Sequence, residues 1–484
     1  MTRKPIWTLV FVLTFSLACN LGDALTPQPG PQPATAPSTA SPLQPPPPSS
    51  EDVVNPSDLE YLGAFRLPGG ADRPQTFAYG GNAMTFNPNG DPGGAADGFP
   101  GSLFITGHDR LPYGELPDGG QIAEVNIPVP SLSRSVDSLP QAEFLQGFQD
   151  VLAGYFTRMD EIPRLGLLYL DHPLTGPQIH VAYGQHFEPD PPAPTHGWFG
   201  PDFSSSVFRG EWFLDGQSFY NINDYLLEIP AAWAETYAQG RVIGAGRFRD
   251  GGWSGMGPVL IAYSPWDDNG HPQPDGARLG TITLLQYAAS TETEDIQDRS
   301  LHGYQHPDEW SGGAWITTDS GKSTLLFAGA KSTGSKFWYG YVNPQGADFP
   351  CVDEEITDFL TCRLADGSSC PSQDFIECSG HNDYRGWWTT RWETQFLFYD
   401  PADLARVARG ELASWEPQPY ASLNIDDRLF FNPSGVETDM LGTGVQRRYR
   451  IGDVAYDRAN GLLYVLELFA DGAKPVVHVW KIHP

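Results

Sequence analysis

His108-Asp109, Gln185-His186, Arg247-Phe248 and Ala330-Lys331 occupy one recurring place. Each pair follows a run of apolar and small residues closed by glycine: SLFITG, IHVAYG, RVIGAG and TLLFAG. A fifth run, LLYVLE, has Glu467 in the glycine position and leads to Leu468-Phe469. A His or Tyr placed this way can take a proton as general base, and an Arg can neutralise a carboxylate on the molecule that loses it. Arg also captures carboxylates or sulfates directly. Together these are the parts for β-elimination on an acidic sugar. The candidate catalytic residues are His108, His186, Tyr220, Arg247 and His306. Candidate ligand-holding residues are Asp109, Gln185, Trp310, Lys331, Arg448, Arg450 and Trp387. The competing reading is that Arg and His pair with the chain's many acids and only order its loops.

Hydrolysis needs two opposed carboxylates. Asp453 follows an inner-strand glycine, but the matching places hold Asn82 and Gly313. Asp160, Glu161, Asp224 and Glu309 are further acids whose spacing compels nothing. Elimination is therefore preferred to hydrolysis if the protein is an enzyme, a point left open at this level. RGWWTTRW (385–392) offers Trp387, Trp388 and Trp392 with Arg385 and Arg391 as a stacking platform, though strand alternation would bury about half of these. WDDNGHPQPDG (266–276) and NPNGDPGGAADG (87–98) have oxygen ligands suited to Ca²⁺, without EF-hand spacing; Asx turns are the preferred reading. His302 and His306, and His180 and His186, have no helix to align them on a metal. No cofactor is expected. P-loop, dinucleotide and G-x-S-x-G signatures are absent from the sequence.

The elements that must position these residues are strands. With 45 Pro, 53 Gly and 13% aromatic residues, the 484-residue chain suits many short strands joined by turns. Upstream of three glycine-closed runs lie YGGNAMTF (79–86), WSGGAWIT (310–317) and YRIGDVAY (449–456), each followed by a tight turn. Strand, turn, strand is a hairpin signal. QIAEVNIPV, GPVLIAYSP, TQFLFYDP and PVVHVWKIHP then supply third strands. Five units of about four strands each predict an all-β fold, a single β-propeller of five blades, with six or seven as the alternative. LEYLGAFRL (59–67) is expected to close the ring beside VVHVWKI. Two short helices are expected at 229–240 and 400–411, from Pro and Asp at their starts and Gly or Arg at their ends.

The ends of the chain carry other signals. Arg3 and Lys4 precede an apolar run ending at Cys19, which suits a signal peptide. FSLAC resembles a bacterial lipobox, which implies cleavage before Cys19 and lipid attachment there. Residues 19–56 are rich in Pro, Ser, Thr, Ala and Gln and read as a tether. Residues 57–484 form the folded domain, with a Cys-rich insertion at about 343–385. Cys351, Cys362, Cys370 and Cys378 are expected to form two disulfides; of three pairings, Cys351–Cys362 with Cys370–Cys378 is preferred. The net charge of −30 opposes binding to nucleic acid or anionic membrane surfaces. The lipid is then the membrane contact, the location a bacterial cell envelope outside the cytoplasm, and the chain a monomer.

The combination FAYGGNAMTFNP, SLFITGHD and QIAEVNIP near the start, with YDPADLARVARGELASWEPQPYA and IGDVAYDRANGLLYVLELFADG near the end, resembles a family of uncharacterised exported bacterial proteins of propeller type. The resemblance covers most of residues 58–484. It implies export but brings no activity and no catalytic residue. Propeller-fold polysaccharide lyases are a fold-level analogy for the elimination reading. The functional expectation is binding, with processing as its extension, of an extracellular glycan or acidic polysaccharide at the propeller mouth. The alternative is a non-enzymatic protein–protein scaffold.

Overall fold

A computed structural model describes residues 52–484, apart from 70–71, 92, 109–119, 153, 156–158, 160–163, 186, 248–249, 254, 268, 292–296, 341–385 and 437. The expected signal peptide, most of the expected tether, Cys19, the four later cysteines, Asp109, Asp160, Glu161, His186 and Arg385 lie outside the described residues. Strand β1 (Leu59–Arg66) comes first in the chain but belongs to the last sheet. Blade 1 is β2 (Met84–Asn87), β3 (Ser102–Thr106), β4 (Gln121–Asn126) and β5 (Phe144–Asp150). Blade 2 is β6 (Arg164–His172), β7 (Gly176–Gly184), β8 (His196–Phe199) and β9 (Arg209–Leu214). Blade 3 is β10 (Leu226–Glu228), β11 (Ile243–Ala245), β12 (Leu260–Tyr263) and β14 (Ile282–Leu285). Before β14, the two-residue β13 (Arg278–Leu279) crosses to blade 2 and pairs in parallel with β9.

Blade 4 is β15 (Glu309–Thr317), β16 (Ser323–Ser332), β19 (Trp392–Tyr399) and β20 (Ala421–Asn424). Between β16 and β19 the chain forms a separate antiparallel pair, β17 (Phe337–Gly340) and β18 (Gly386–Thr389). Blade 5 is β21 (Ile451–Asp457), β22 (Leu462–Asp471) and β23 (Lys474–Ile482), completed by β1. The inner strands touch in the cycle β2, β6, β10, β15, β21 and back to β2. Five antiparallel sheets arranged this way are a five-bladed β-propeller, as the repeats predict. Helices α1 (Ala231–Tyr237) and α2 (Pro401–Ala408) fall within the expected segments, and the Asp400 carboxylate caps α2 by accepting from the Ala402 N–H (2.8 Å).

The physical cause of the glycine register is now visible. A Cβ on Gly246 would land on the buried Tyr225 ring, and one on Gly329 would meet the Glu309 carbonyl and the Trp310 ring. A Cβ on Gly107 would lie 2.8 Å from the Thr76 carbonyl oxygen and 2.5 Å from the Phe148 ring. The second strand of each of these blades therefore passes a neighbour at backbone distance, which leaves no room for a side chain. Blades stack face to face, so second strands such as β3 are buried along their length and read as continuous apolar runs. The outermost strand β5 instead alternates toward solvent.

Blade 5 replaces the glycine with Glu467, whose carboxylate is fully buried. It accepts from the Phe430 and Phe431 N–H groups (2.8 and 2.7 Å). It also meets His478 Nε2 at 2.9 Å, and His478 Nδ1 lies 2.9 Å from the Tyr61 hydroxyl. Tyr61 is on β1, His478 on β23 and Glu467 on β22, so this polar chain crosses the seam that closes the ring. Burial raises the Tyr61 phenol above its ordinary range. Ahead of β1, Val53 bridges to Ser323 in parallel and the Val54 carbonyl accepts from the Tyr420 hydroxyl (2.6 Å). Asp58 pairs with Lys322 at 3.0 Å. This entering segment is thus fastened to blade 4 before β1 joins blade 5.

Candidate functional site

Inner strands begin, and second strands end, at the same end of every blade. Charged side chains collect there. Arg164 opens β6, Asp224 precedes β10, Glu309 opens β15, and Arg448 and Asp453 flank the start of β21. All five are buried. Arg164 Nη2 lies 3.9 Å from Glu309 Oε2, although blades 2 and 4 are not neighbours in the ring. The contact therefore spans the axis. Arg448 reaches the same carboxylate from blade 5, its Nη2 and Nε donating to Oε1 at 2.9 and 3.1 Å. Arg247, at the end of β11, donates to Asn223 Oδ1 (2.8 Å) and lies 3.7 Å from Asp224 Oδ2.

Asp453 differs from its neighbours. Its two oxygens accept from the Val454 N–H (2.8 Å) and the Met84 N–H (3.1 Å), which ties blade 5 to blade 1. Burial, with the charge of Asp224 adding to it, pushes this carboxyl well above the usual carboxylate range. Three arginines, Arg164, Arg247 and Arg448, thus share this end of the inner strands with the carboxyls of Asp224, Glu309 and Asp453.

Below this cluster the channel is narrow. A cavity of about 60 Å³ is lined by residues of all five inner strands, including Thr85, Tyr169, Trp315 and Tyr456. That is room for a few waters at most. At the far end Arg458 Nη2 pairs with Glu228 Oε2 at 3.2 Å, again between non-adjacent blades. Anything larger than a few waters is thereby excluded from the channel itself.

Around the mouth stand aromatic rings. The Arg247 guanidinium sits 5.1 Å from the Tyr220 ring centre, and Tyr220 meets Trp253 edge-on at 5.7 Å. Phe187 lies 5.8 Å from Trp253, and both are exposed. On the next blade His306 packs against Trp387 at 4.6 Å, and its carbonyl accepts from the Gly251 N–H in the loop that carries Trp253 (2.6 Å). Tyr220, Arg247, His306 and Trp387 therefore belong to one stretch of rim.

The remaining candidates are placed otherwise. His108 is buried, with Nδ1 3.1 Å from the Ala78 carbonyl oxygen and its ring edge-on to Tyr79. Gln185 is partly buried just past β7. Trp310 faces the core rather than the rim, at 2% exposure, with its ring covering Gly329. Lys331 Nζ is committed to Asp308 (2.9 Å) and to the Gly303 and Ser332 carbonyls (2.8 Å each). Arg450 holds the Arg447 carbonyl and Asp426, both at 2.8 Å. Lys331 and Arg450 are thus held by partners of their own, and Trp310 by core packing. Strand alternation sends Trp388 and Trp392 into the core and leaves Trp387 partly exposed.

Among the described residues no group of three His, Cys, Asp or Glu side chains is arranged to hold a metal. In the 266–276 segment Asp267 Oδ1 accepts from the Asn269 and His271 N–H groups (2.9 Å each), an Asx turn. Sequence reasoning missed Arg164 and Trp253. The one signal for Arg164 was a charged residue opening an otherwise apolar strand; for Trp253 it was the glycine-rich GGWSGMG loop. The fold and its charged mouth define this chain as a five-bladed β-propeller, an architecture that serves as a binding scaffold. No protein-family model matches the chain, and no curated protein matches its sequence.

Proposed function

We propose that the protein binds an extracellular acidic polysaccharide at the propeller mouth. The observation that carries this reading is the gathering of Arg164 and Arg448 on Glu309, with Arg247 on Asp224 beside the Tyr220 ring, at one end of the inner strands. Arginine matches carboxylate and sulfate geometry, and aromatic faces match the C–H faces of sugars. The catalytic extension is elimination. Tyr220, acting as the phenolate, takes the proton α to a uronate carboxylate that Arg247 neutralises; a C=C bond forms, the glycosidic C–O bond breaks, and the tyrosine hydroxyl so formed returns its proton to the departing oxygen. Hydrolysis has less support, because both Asp453 oxygens are engaged by backbone N–H groups and Glu309 is engaged by two arginines. In this reading the protein sits in a bacterial cell envelope, lipid-anchored through Cys19.

The test is to mix the purified protein with a panel of acidic and neutral polysaccharides. Binding is read by calorimetry and cleavage by the ultraviolet absorbance of unsaturated ends. Binding confined to acidic polymers is the expected result; no binding to any acidic polymer would overturn the reading. The scaffold alternative is favoured by one feature, the exposed Leu174 and Val207 lining a cleft of about 670 Å³ against blade 2. Crosslinking to an envelope protein that depends on Val207 and not on Tyr220 would select it.

A further inference from the structure

Outward from Arg247, the Tyr220 ring forms one wall of a second space. An open cleft of about 620 Å³ lies between the loop entering β10, the loop leaving β11 and the end of β14. Its size falls within the range of small-ligand sites, about 300–1,000 Å³. None of the described residues that line it is charged. Its chemistry is two aromatic rings, Tyr220 and Trp253, with the amides and hydroxyls of Gln217, Asn221, Thr283 and Gln286. Amides and hydroxyls that converge beside a ring are suited to an uncharged polyhydroxylated ligand.

The cleft is built in advance of any ligand. Gln217 Nε2 donates to the Thr281 and Thr283 hydroxyls (2.9 and 3.4 Å), which orients its amide. The loop carrying Trp253 is pinned by Ser290, whose N–H and hydroxyl donate to the Gly252 and Gly251 carbonyls (2.8 Å each). Gly251 and Gly252 both adopt the left-handed region (φ 77° and 75°), so the tight bend that projects Trp253 needs glycine there. Trp253 keeps 40% of its surface exposed. Rigid rings on a fixed loop lose little entropy when a ligand arrives.

We infer that this cleft is a subsite for a neutral sugar unit, adjoining an acidic unit held at the arginine-rich mouth. The inference rests on the acidic-polysaccharide reading and sharpens it: the ligand is a mixed polymer in which a uronate neighbours an uncharged hexose or pentose. Tyr220 stands between the two subsites, with Arg247 on one side and Trp253 on the other. A homopolymer of uronate would place a carboxylate in a cleft whose described lining offers it no cation.

The experiment uses the intact chain, titrated by calorimetry with oligosaccharides of alternating uronate and neutral sugar and with oligouronates of equal length. The parent is compared with Trp253→Ala and Trp253→Phe. The mixed oligosaccharide is expected to bind tighter than the oligouronate. Trp253→Ala is expected to weaken the mixed ligand at least tenfold and leave the oligouronate within twofold, and Trp253→Phe to recover most of the loss. Equal binding of the mixed ligand by parent and Trp253→Ala would overturn the subsite. A parent that binds oligouronate as tightly as the mixed ligand would overturn it too, while the mouth reading would stand. A parent that binds neither would bring down both. Thermal melting of each variant separates lost contacts from lost folding.

Discussion

Glu467→Gln tests whether the buried chain in blade 5 holds the ring closed. In the parent, three donors converge on two carboxylate oxygens, the Phe430 and Phe431 N–H groups and His478 Nε2, and the Arg447 guanidinium lies 3.9 Å away as an ion pair. A glutamine offers one carbonyl oxygen and turns its NH₂ toward groups that also donate, so at least one buried N–H loses its partner. Hydrogen bonds to charged groups contribute about 1.5–3 kcal/mol, and breaking a buried ion pair costs about 3–5 kcal/mol. A loss of about 3 kcal/mol corresponds to roughly a hundredfold fall in the folded-to-unfolded ratio. Urea unfolding followed by tryptophan fluorescence reads this as a lower midpoint. Tyr61→Phe removes only the far end of the same chain and should cost about 1 kcal/mol. The double variant should lose less than the sum, because the glutamine already disturbs His478. A Glu467→Gln midpoint within about 0.5 kcal/mol of the parent, the range of ordinary surface changes, would refute the latch.

Further outcomes follow from the same physics. Gly246→Ala drives a methyl into the Tyr225 ring, whose hydroxyl is fixed on the Val259 carbonyl (2.8 Å), and should cost about 1–3 kcal/mol by thermal unfolding. Gly200→Ala, where a Cβ meets nothing within 4 Å, should stay within about 0.5 kcal/mol. Burial pushes the Asp308 carboxyl up to about 6 despite the neighbouring Lys331 ammonium. The folded state then binds the proton more tightly than the unfolded chain, so this contribution is complete below about pH 4 and lost as pH rises through about 6. The stability of the parent minus that of Asp308→Asn should fall across that window, and a difference that rose or stayed flat would refute the assignment. With the lipid anchor proposed at Cys19, the parent incorporates labelled fatty acid and sediments with membranes, and Cys19→Ser does neither; a parent that takes up no label would refute the anchor.

The sequence displayed the propeller because its register rests on a local steric rule. Gly246 and Gly329 recur at the point where each second strand passes a neighbouring strand or ring, and that requirement repeats with the blade. The outer part of blade 2 left no such mark. β8 is the four residues HGWF, and β13 is a two-residue strand borrowed from the following repeat, too short for any period to show. The mouth was partly legible. Repeat position told which loops share one end, and Tyr220, Arg247, His306 and Trp387 do share it. It could not tell that Arg448 would meet Glu309 across 139 residues of chain, or that Trp310 would turn inward to cover Gly329. Ion pairs across an axis follow from closure of the ring, and no window along the sequence contains that closure. Glu467 stood out as the one break in the glycine pattern, and its meaning lay in β1, at the opposite end of the chain.

The fastening of residues 53–58 to blade 4 has a mechanical consequence. A pull transmitted along the chain from before residue 52 reaches the Val53–Ser323 bridge, the Val54–Tyr420 hydrogen bond and the Asp58–Lys322 pair before it reaches β1. Leu59, the first residue of β1, pairs with Ile482, so a direct pull there would peel the seam open one rung at a time. The blade 4 contacts act as strain relief, like the clamp where a cable enters a plug. They spread the load over two blades and spare the seam on which ring closure depends.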